Sequence, residues 1–403
     1  MTVVTNKRAQ GAAVGVGTRR QRNPAALQNN PNMKTMTIRR RPAISSIPYF
    51  DYGLLVIVTL LFAFGLVMLY STSAYMATVK YDDSLHYFKK QVFAAVLGVA
   101  GIVFLNVVGY RWLKVFANLF YGTAFVLCVA VIFVGASQGD AARWIYFGPI
   151  SFQPSEFAKF SVIIYLAALV SQSARSLRDW HNVVRAFCFM IPMIIPVAYN
   201  NLSTAVIIAG IAFGILFVAS PDIRAFFVIG AMGIAGCVLF ISLQGYRSDR
   251  IDVWFHPEKH EKGFQTLQGL YAIGSGGLFG KGLGESMQKL GYVPEAQNDM
   301  IFSIVCEELG VFGAICVILM YLLMLWRFMV IACNARDMFG SFLVIGIMIH
   351  ISLQVFLNIA VVTNTLPNTG VTLPFISYGG TSVVFLLFEM GIAMAVSRGI
   401  RLE

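Results

Sequence analysis

The chain has 403 residues, 58% of them hydrophobic and only 12% charged, with a net charge of +11; its mean hydropathy is +0.73. Water-soluble domains carry about 25% charged residues, so this composition excludes a soluble enzyme and makes lipid the solvent. Nor does the positive charge point to nucleic acid, because it is gathered at one end, with nine Lys/Arg and no acid in residues 1–47.

That first stretch (Lys7, Arg8, Arg19, Arg20, Arg22, Lys34, Arg39, Arg40, Arg41) is rich in Asn, Gly and Thr and has no apolar periodicity. It reads as a disordered basic cytoplasmic tail whose expected contact is an anionic lipid surface. It has no apolar core or cleavage site of its own and is not a cleavable signal peptide. Residues 48–400 then read as one all-α, polytopic transmembrane domain. Crossing the hydrocarbon takes roughly 20 apolar residues, and about ten segments qualify: 52–74, 91–109, 114–135, 157–173, 183–199, 203–220, 223–243, 301–326, 339–363 and 376–397. The fourth to sixth are short or interrupted by Pro and polar residues.

Charge tests this count through the positive-inside rule. Arg111, Lys114, Arg175, Arg178, Arg185, Arg224, Arg327, Arg336, Arg398 and Arg401 fall on the tail's side. With the tail, that side holds 19 of the 30 basic residues. Ten spans with both termini in the cytoplasm satisfy the bias. On the opposite side lie 136–156, 364–375 and one large extracytoplasmic loop, about 244–300. A loop of that length is usually functional.

Three motifs mislead. GSGGLFGKGLG at 274–284 imitates a phosphate loop but has Ser275 and Gly282 where the Walker pattern needs Gly and Ser/Thr, so a flexible re-entrant segment is expected. His256 and His260 have metal-like spacing, but Pro257 replaces the zincin Glu, which leaves a solvated charged loop. LPNTG at 366–370 resembles a wall-sorting signal, which nine earlier spans make needless. The six cysteines sit within or at the ends of apolar segments with no CxxC and read as buried hydrophobes. His350, alone in the ninth span, reads as a hydrogen-bonded interior residue.

Ionisable residues at membrane depth are expensive and mark function. Glu156 and Lys159, three apart at the start of the fourth span, share a helical face and can pair, with Arg143 ahead of them to reach an anion. In the long loop, Arg247 and Arg250 are cationic, and Gln265 and Gln268 suit one helical face with amides for sugar hydroxyls or phosphate. Asp299 precedes the eighth span, with Glu307 and Glu308 two turns deeper. On the residues alone Asp299 is a helix N-cap, worth roughly 1 kcal/mol, or a partly desolvated general base.

Together, ARWIYFGPISFQPSEFAK, GFQTLQGLYAIGSGGLFGKGLGESMQKLGYVPEAQNDMIF, EELGVFG and LPNTGVTLPFISYGGTS resemble the signature segments of the SEDS family, whose members include FtsW, RodA and SpoVE. The resemblance covers roughly residues 48–400. It implies a peptidoglycan glycosyltransferase that polymerises lipid II at the outer face of the bacterial cytoplasmic membrane, working with a class B penicillin-binding protein and other divisome or elongasome proteins. It places the family's essential aspartate on Asp299, the catalytic residue. Arg143, Trp144, Glu156, Lys159, Gln265, Gln268, Lys289, Glu295, Ser377 and Tyr378, with Arg250 from the loop, are then the expected substrate-binding residues. No cofactor is specified; a divalent cation, Mg or Mn, is the candidate aid to a leaving pyrophosphate. The sequence departs from the family at Gln297-Asn298 and Met300 around the aspartate, and at Asn200-Asn201. Thr372 and the long tail lean toward FtsW and SpoVE types. The rival expectations are a lipid II flippase and a scaffold that activates a transpeptidase.

Overall fold

The computed structural model describes residues 50–137, 142–147, 150–242 and 253–400. The basic tail of residues 1–47, Arg247 and Arg250 lie outside the described residues. Helices run in the order α1 (Tyr52–Tyr81), α2 (His86–Val108), α3 (Trp112–Val115), α4 (Ala117–Val134), α5 (Pro154–Ser173), α6 (Trp180–Cys188), α7 (Ile191–Asn200), α8 (Leu202–Ala219), α9 (Arg224–Ser242), α10 (Phe264–Ser275), α11 (Ile301–Cys333), α12 (Met338–Val362) and α13 (Gly380–Ser397). A small antiparallel sheet, β1 (Ala136–Ser137), β2 (Ala142–Phe147) and β3 (Ile150–Phe152), follows α4.

Among the described residues, eight helices are long and apolar enough to span a membrane. The fifth expected span is a bent pair, α6 and α7, meeting at 41°. Pro192 explains the interruption, since proline removes a backbone donor and crowds the turn before it, here the end of α6, while Pro196 is accommodated inside α7. Helix α9 occupies the seventh expected span. Polar side chains cap several ends: Asp51 accepts from the Leu54 amide at 2.8 Å, and Asp337 from Gly340 at 2.7 Å. Phe133, Val107 and Phe227 stand exposed on the outer faces, a surface that water would not tolerate and lipid does.

Contacts between distant segments identify one end of the bundle. The buried Asp51, at the start of α1, pairs with Arg327 late in α11 at 2.6 Å, and its amide donates to Ser397 at the end of α13. There too Tyr110 and Arg111 meet Asp337. These are the connections that the charge bias assigns to a single side. At the opposite end, Thr381 at the start of α13 donates to the Ser151 carbonyl in β3 at 2.8 Å, and Gln91 near the start of α2 donates to the Ser377 carbonyl. The first residues of α11 belong to this end.

Candidate active site

Helix α11 is where the site is built, because it is broken. Gly310 has φ 67° and ψ −166° within the helix, a conformation essentially reserved for glycine. The break frees backbone groups that membrane interiors leave unsatisfied only at several kcal/mol each, and the glycine-rich segment after α10 takes them up. The amides of Lys281 and Gly282 donate to the carbonyls of Glu307 and Glu308, while Val311 and Phe312 donate to Gly277 and Leu278, at 3.0–3.1 Å. A Cβ on Gly310 would stand 2.4 Å from the Gly280 nitrogen, so the segment docks only because both strands of backbone are bare. The phosphate-loop mimic thus folds onto a helix break as a re-entrant segment.

The side chains at the break neutralise each other. Glu307, fully buried, pairs with Lys281 at 2.6 Å and also accepts from Ser286. Glu308, likewise buried, pairs with Lys289 at 2.8 Å and accepts from Ser71 of α1. These carboxylates brace α11 against the loop and α1. Lys289, expected on substrate phosphate, is spent in this brace, its ammonium also donating to the Ser71 hydroxyl and the Gly284 carbonyl. Removing a partner from such a buried pair leaves an uncompensated charge.

The loop then delivers Asp299 two residues ahead of α11. Met300, not Asp299, occupies the N-cap position, and no side chain caps that helix; the carboxylate is therefore not serving as a cap. Its Oδ1 accepts from Gln265 Nε2 at 3.3 Å, and Gln265 in turn accepts from Asn368 at 3.1 Å. Near its Oδ2 lies Gly370, whose added Cβ would stand 3.6 Å away. Burial first, and then the charge of Glu295, push the Asp299 carboxyl up to about 7, against the pull of Gln265 and the neighbouring backbone amides. Glu295 itself is exposed, sits at φ 53°, and accepts from Asn298.

Asp299 opens on a cleft of about 480 Å³ that Arg143, Trp254, Gln265, Asn364, Asn368 and Thr369 help to line. The cleft gathers β2, the long loop, the start of α10 and the segment after α12. Of the expected residues, Asp299, Arg143 and Gln265 meet here. The remaining described ones do not line it. Trp144 belongs to β2 beside Arg143. Gln268, one turn beyond Gln265, is half-buried. Ser377 is buried and accepts from the Leu373 amide at 2.8 Å, and the Tyr378 amide donates to the Gln297 carbonyl at 2.9 Å. Both hold the 366–378 segment in place.

Glu156 and Lys159 do pair, at 2.9 Å, but inside the bundle between α5 and α12. Lys159 also donates to Gln354 at 3.2 Å. His350 is buried against Glu389 at 3.0 Å. Asn201, at one of the departures from the family pattern, caps α8 by accepting from the Ser203 and Thr204 amides, while the Asn200 carbonyl accepts from Arg143 Nε at 3.2 Å. The residues that sequence reasoning missed are Trp254, Asn364, Asn368 and Thr369. The LPNTG motif, set aside as a sorting signal but part of the family resemblance, supplies two of them.

Among the described residues, no three His, Cys, Asp or Glu side chains are grouped to hold a metal ion.

Residues 52–401 match the family model described as cell cycle protein, FtsW/RodA/SpoVE. The stage V sporulation protein E of Bacillus subtilis (strain 168) is 39% identical over 354 residues, which cover 86% of this chain and 97% of that protein. A probable peptidoglycan glycosyltransferase FtsW of Geobacter sp. (strain M18) is 35% identical over 358 residues, covering 87% and 98%. Among solved structures, a chain from a peptidoglycan synthase complex described as coordinating polymerization and crosslinking superposes with a TM-score of 0.72 at 25% identity, covering 87% of this chain and 98% of that one. The rod shape determining protein RodA of Thermus thermophilus gives 0.64 at 24% identity over 88% and 98%, and so shares the fold.

Proposed function

Because the chain belongs to the FtsW/RodA/SpoVE family of cell cycle proteins, we propose that it is a peptidoglycan glycosyltransferase that polymerises lipid II into glycan strands, in cell division or a related wall-building process. One observation carries the reading: Asp299, poised near neutrality, shares a cleft of about 480 Å³ with a cation and amides. The basic bias of the chain orients this cleft outward, with both termini in the cytoplasm of a bacterial cell.

In this reading Asp299 takes the proton from the 4-hydroxyl of the acceptor GlcNAc. The hydroxyl oxygen then bonds to C1 of the donor MurNAc, the C1–O bond to the pyrophosphate breaks, and the lipid pyrophosphate leaves. One displacement inverts the α-linked centre to a β-1,4 bond. General-base help of this kind is worth about 10²–10⁴ in rate. Arg143, which lines the cleft, is a cation for the departing negative charge. A class B penicillin-binding protein is the expected partner, joining the strands that this chain makes.

The rival is translocation of the lipid substrate. Purified protein with its partner transpeptidase, given lipid II in detergent, should make glycan strands where translocation has no meaning. No strands there, together with lipid movement in vesicles, would replace the enzyme by a flippase.

A further inference from the structure

We propose that Asn358 is the positioning residue of the candidate base: its side-chain amide ties the Asp299 peptide to the segment that walls the cleft, and a buried polar row beneath it keeps that tie in register. The proposal rests on the reading of Asp299 as general base.

His350, Gln354 and Asn358 recur every four residues along α12, so they stack on one face of the helix. All three are buried, at 2%, 1% and 1% exposure. Polar side chains inside a membrane bundle are costly unless paired, and each of these ties another segment to α12. His350 holds Glu389 of α13 at 3.0 Å. Gln354 donates to the Thr372 carbonyl at 3.0 Å and accepts from Lys159 of α5, which is itself paired with Glu156. Asn358 donates to the Asp299 carbonyl at 2.8 Å and to the Val371 carbonyl at 2.7 Å.

The top of the row is therefore a single amide spanning two chain segments. One carries the carboxylate; the other carries Asn368, Thr369 and Gly370, the cleft wall facing it. Gln354 fixes the same wall one turn lower. Neither Asn358 nor Gln354 lines the cleft, so neither meets substrate there. What Asn358 sets is the distance between the base and the wall against which an acceptor sugar would lie. A misplacement of about 1 Å in such a geometry can cost about 100-fold in rate. The ion pair Glu156–Lys159 meets this row at Gln354.

The test is a split between turnover and substrate affinity. Asn358→Asp keeps the shape but cannot bridge both carbonyls, since an ionised carboxylate has no donor and a protonated one has a single O–H. With glycan formation followed in detergent, kcat should fall about 10- to 100-fold while KM for lipid II stays within about twofold, and Asn358→Gln should recover part of the loss. A residue that only supports the fold would lower the melting temperature and leave kcat per folded molecule unchanged. If Asn358→Asp is not recovered folded, Asn358→Gln decides on the same split, with a smaller fall in kcat expected. Wild-type kcat in a folded Asn358 variant, or a KM that rises as far as kcat falls, overturns the positioning role. Asp299→Asn, run alongside, separates the two ideas: its inactivity with an unaffected Asn358 variant sinks the positioning alone, and its full activity sinks the base and the positioning with it.

Discussion

At the scale of single residues, Asp299 has a chemistry that its neighbours create. The carboxyl is largely desolvated at the cleft wall and feels the charge of Glu295, so it is pushed up to about 7 rather than staying near 4. A base works in its ionised form, so kcat/KM should rise with pH and reach half its plateau at about 7. Glu295→Gln removes the like charge and should move that midpoint downward; a midpoint that does not move would detach Glu295 from the site. The stability linkage has the opposite sense. A carboxyl raised above its unfolded value contributes stability in full below about 3.8 and loses it as pH rises through about 7, so the working form of the enzyme is its less stable one. The residue types needed for this were visible in the sequence, and so was the choice between cap and base. What rules out the cap, Met300 at the cap position and Gln265 on the carboxylate, depends on a loop path that no spacing reveals. Lys289 shows the converse. Its charge pointed to phosphate, but the fold brings Glu308 to it and spends it there.

At the scale of elements, most spans were legible because apolar runs of sufficient length admit few other readings in lipid. The break in α11 was not. Over residues 301–326 the only charged side chains are two adjacent glutamates, and a glycine inside a helix is ordinary, Gly313 being a second one three residues on. Only the backbone at 277–282, arriving to take the freed groups, makes Gly310 a hinge. Gly310→Ala should cost about 1–3 kcal/mol from backbone strain, with a further loss from the contact with Gly280. Thermal unfolding in detergent should show a lowered melting temperature and the activity should fall with it, whereas an unchanged melting temperature would mean that α11 can close without harm. The sheet at 136–152 was read as plain loop, since its strands are two to six residues long and interrupted by glycine and proline. It still matters to the site, because β2 carries Arg143 to the cleft. The bent α6–α7 pair was half legible: its prolines predicted interruption, not two helices.

At the scale of the whole molecule, the cleft belongs to no single motif. Arg143, Gln265, Asp299 and Asn368 are spread over more than half of the chain and are drawn together at one end of the bundle. The opposite end is closed by Asp51, Arg327, Asp337 and Ser397. The charge bias separated these two ends before any contact was known, because a membrane imposes a single order of crossings. Convergence within the cleft's end was beyond it, since which loops meet depends on helix packing such as that of α2 along α13 and of α5 against α12. The proposed chemistry depends on one carboxylate in that cleft. The most direct test compares glycan formation from lipid II in detergent by wild type and by folded Asp299→Asn, each with the partner transpeptidase. A fall of about 10²–10⁴ in rate, with the melting temperature preserved, is expected; polymerisation at the wild-type rate would contradict it.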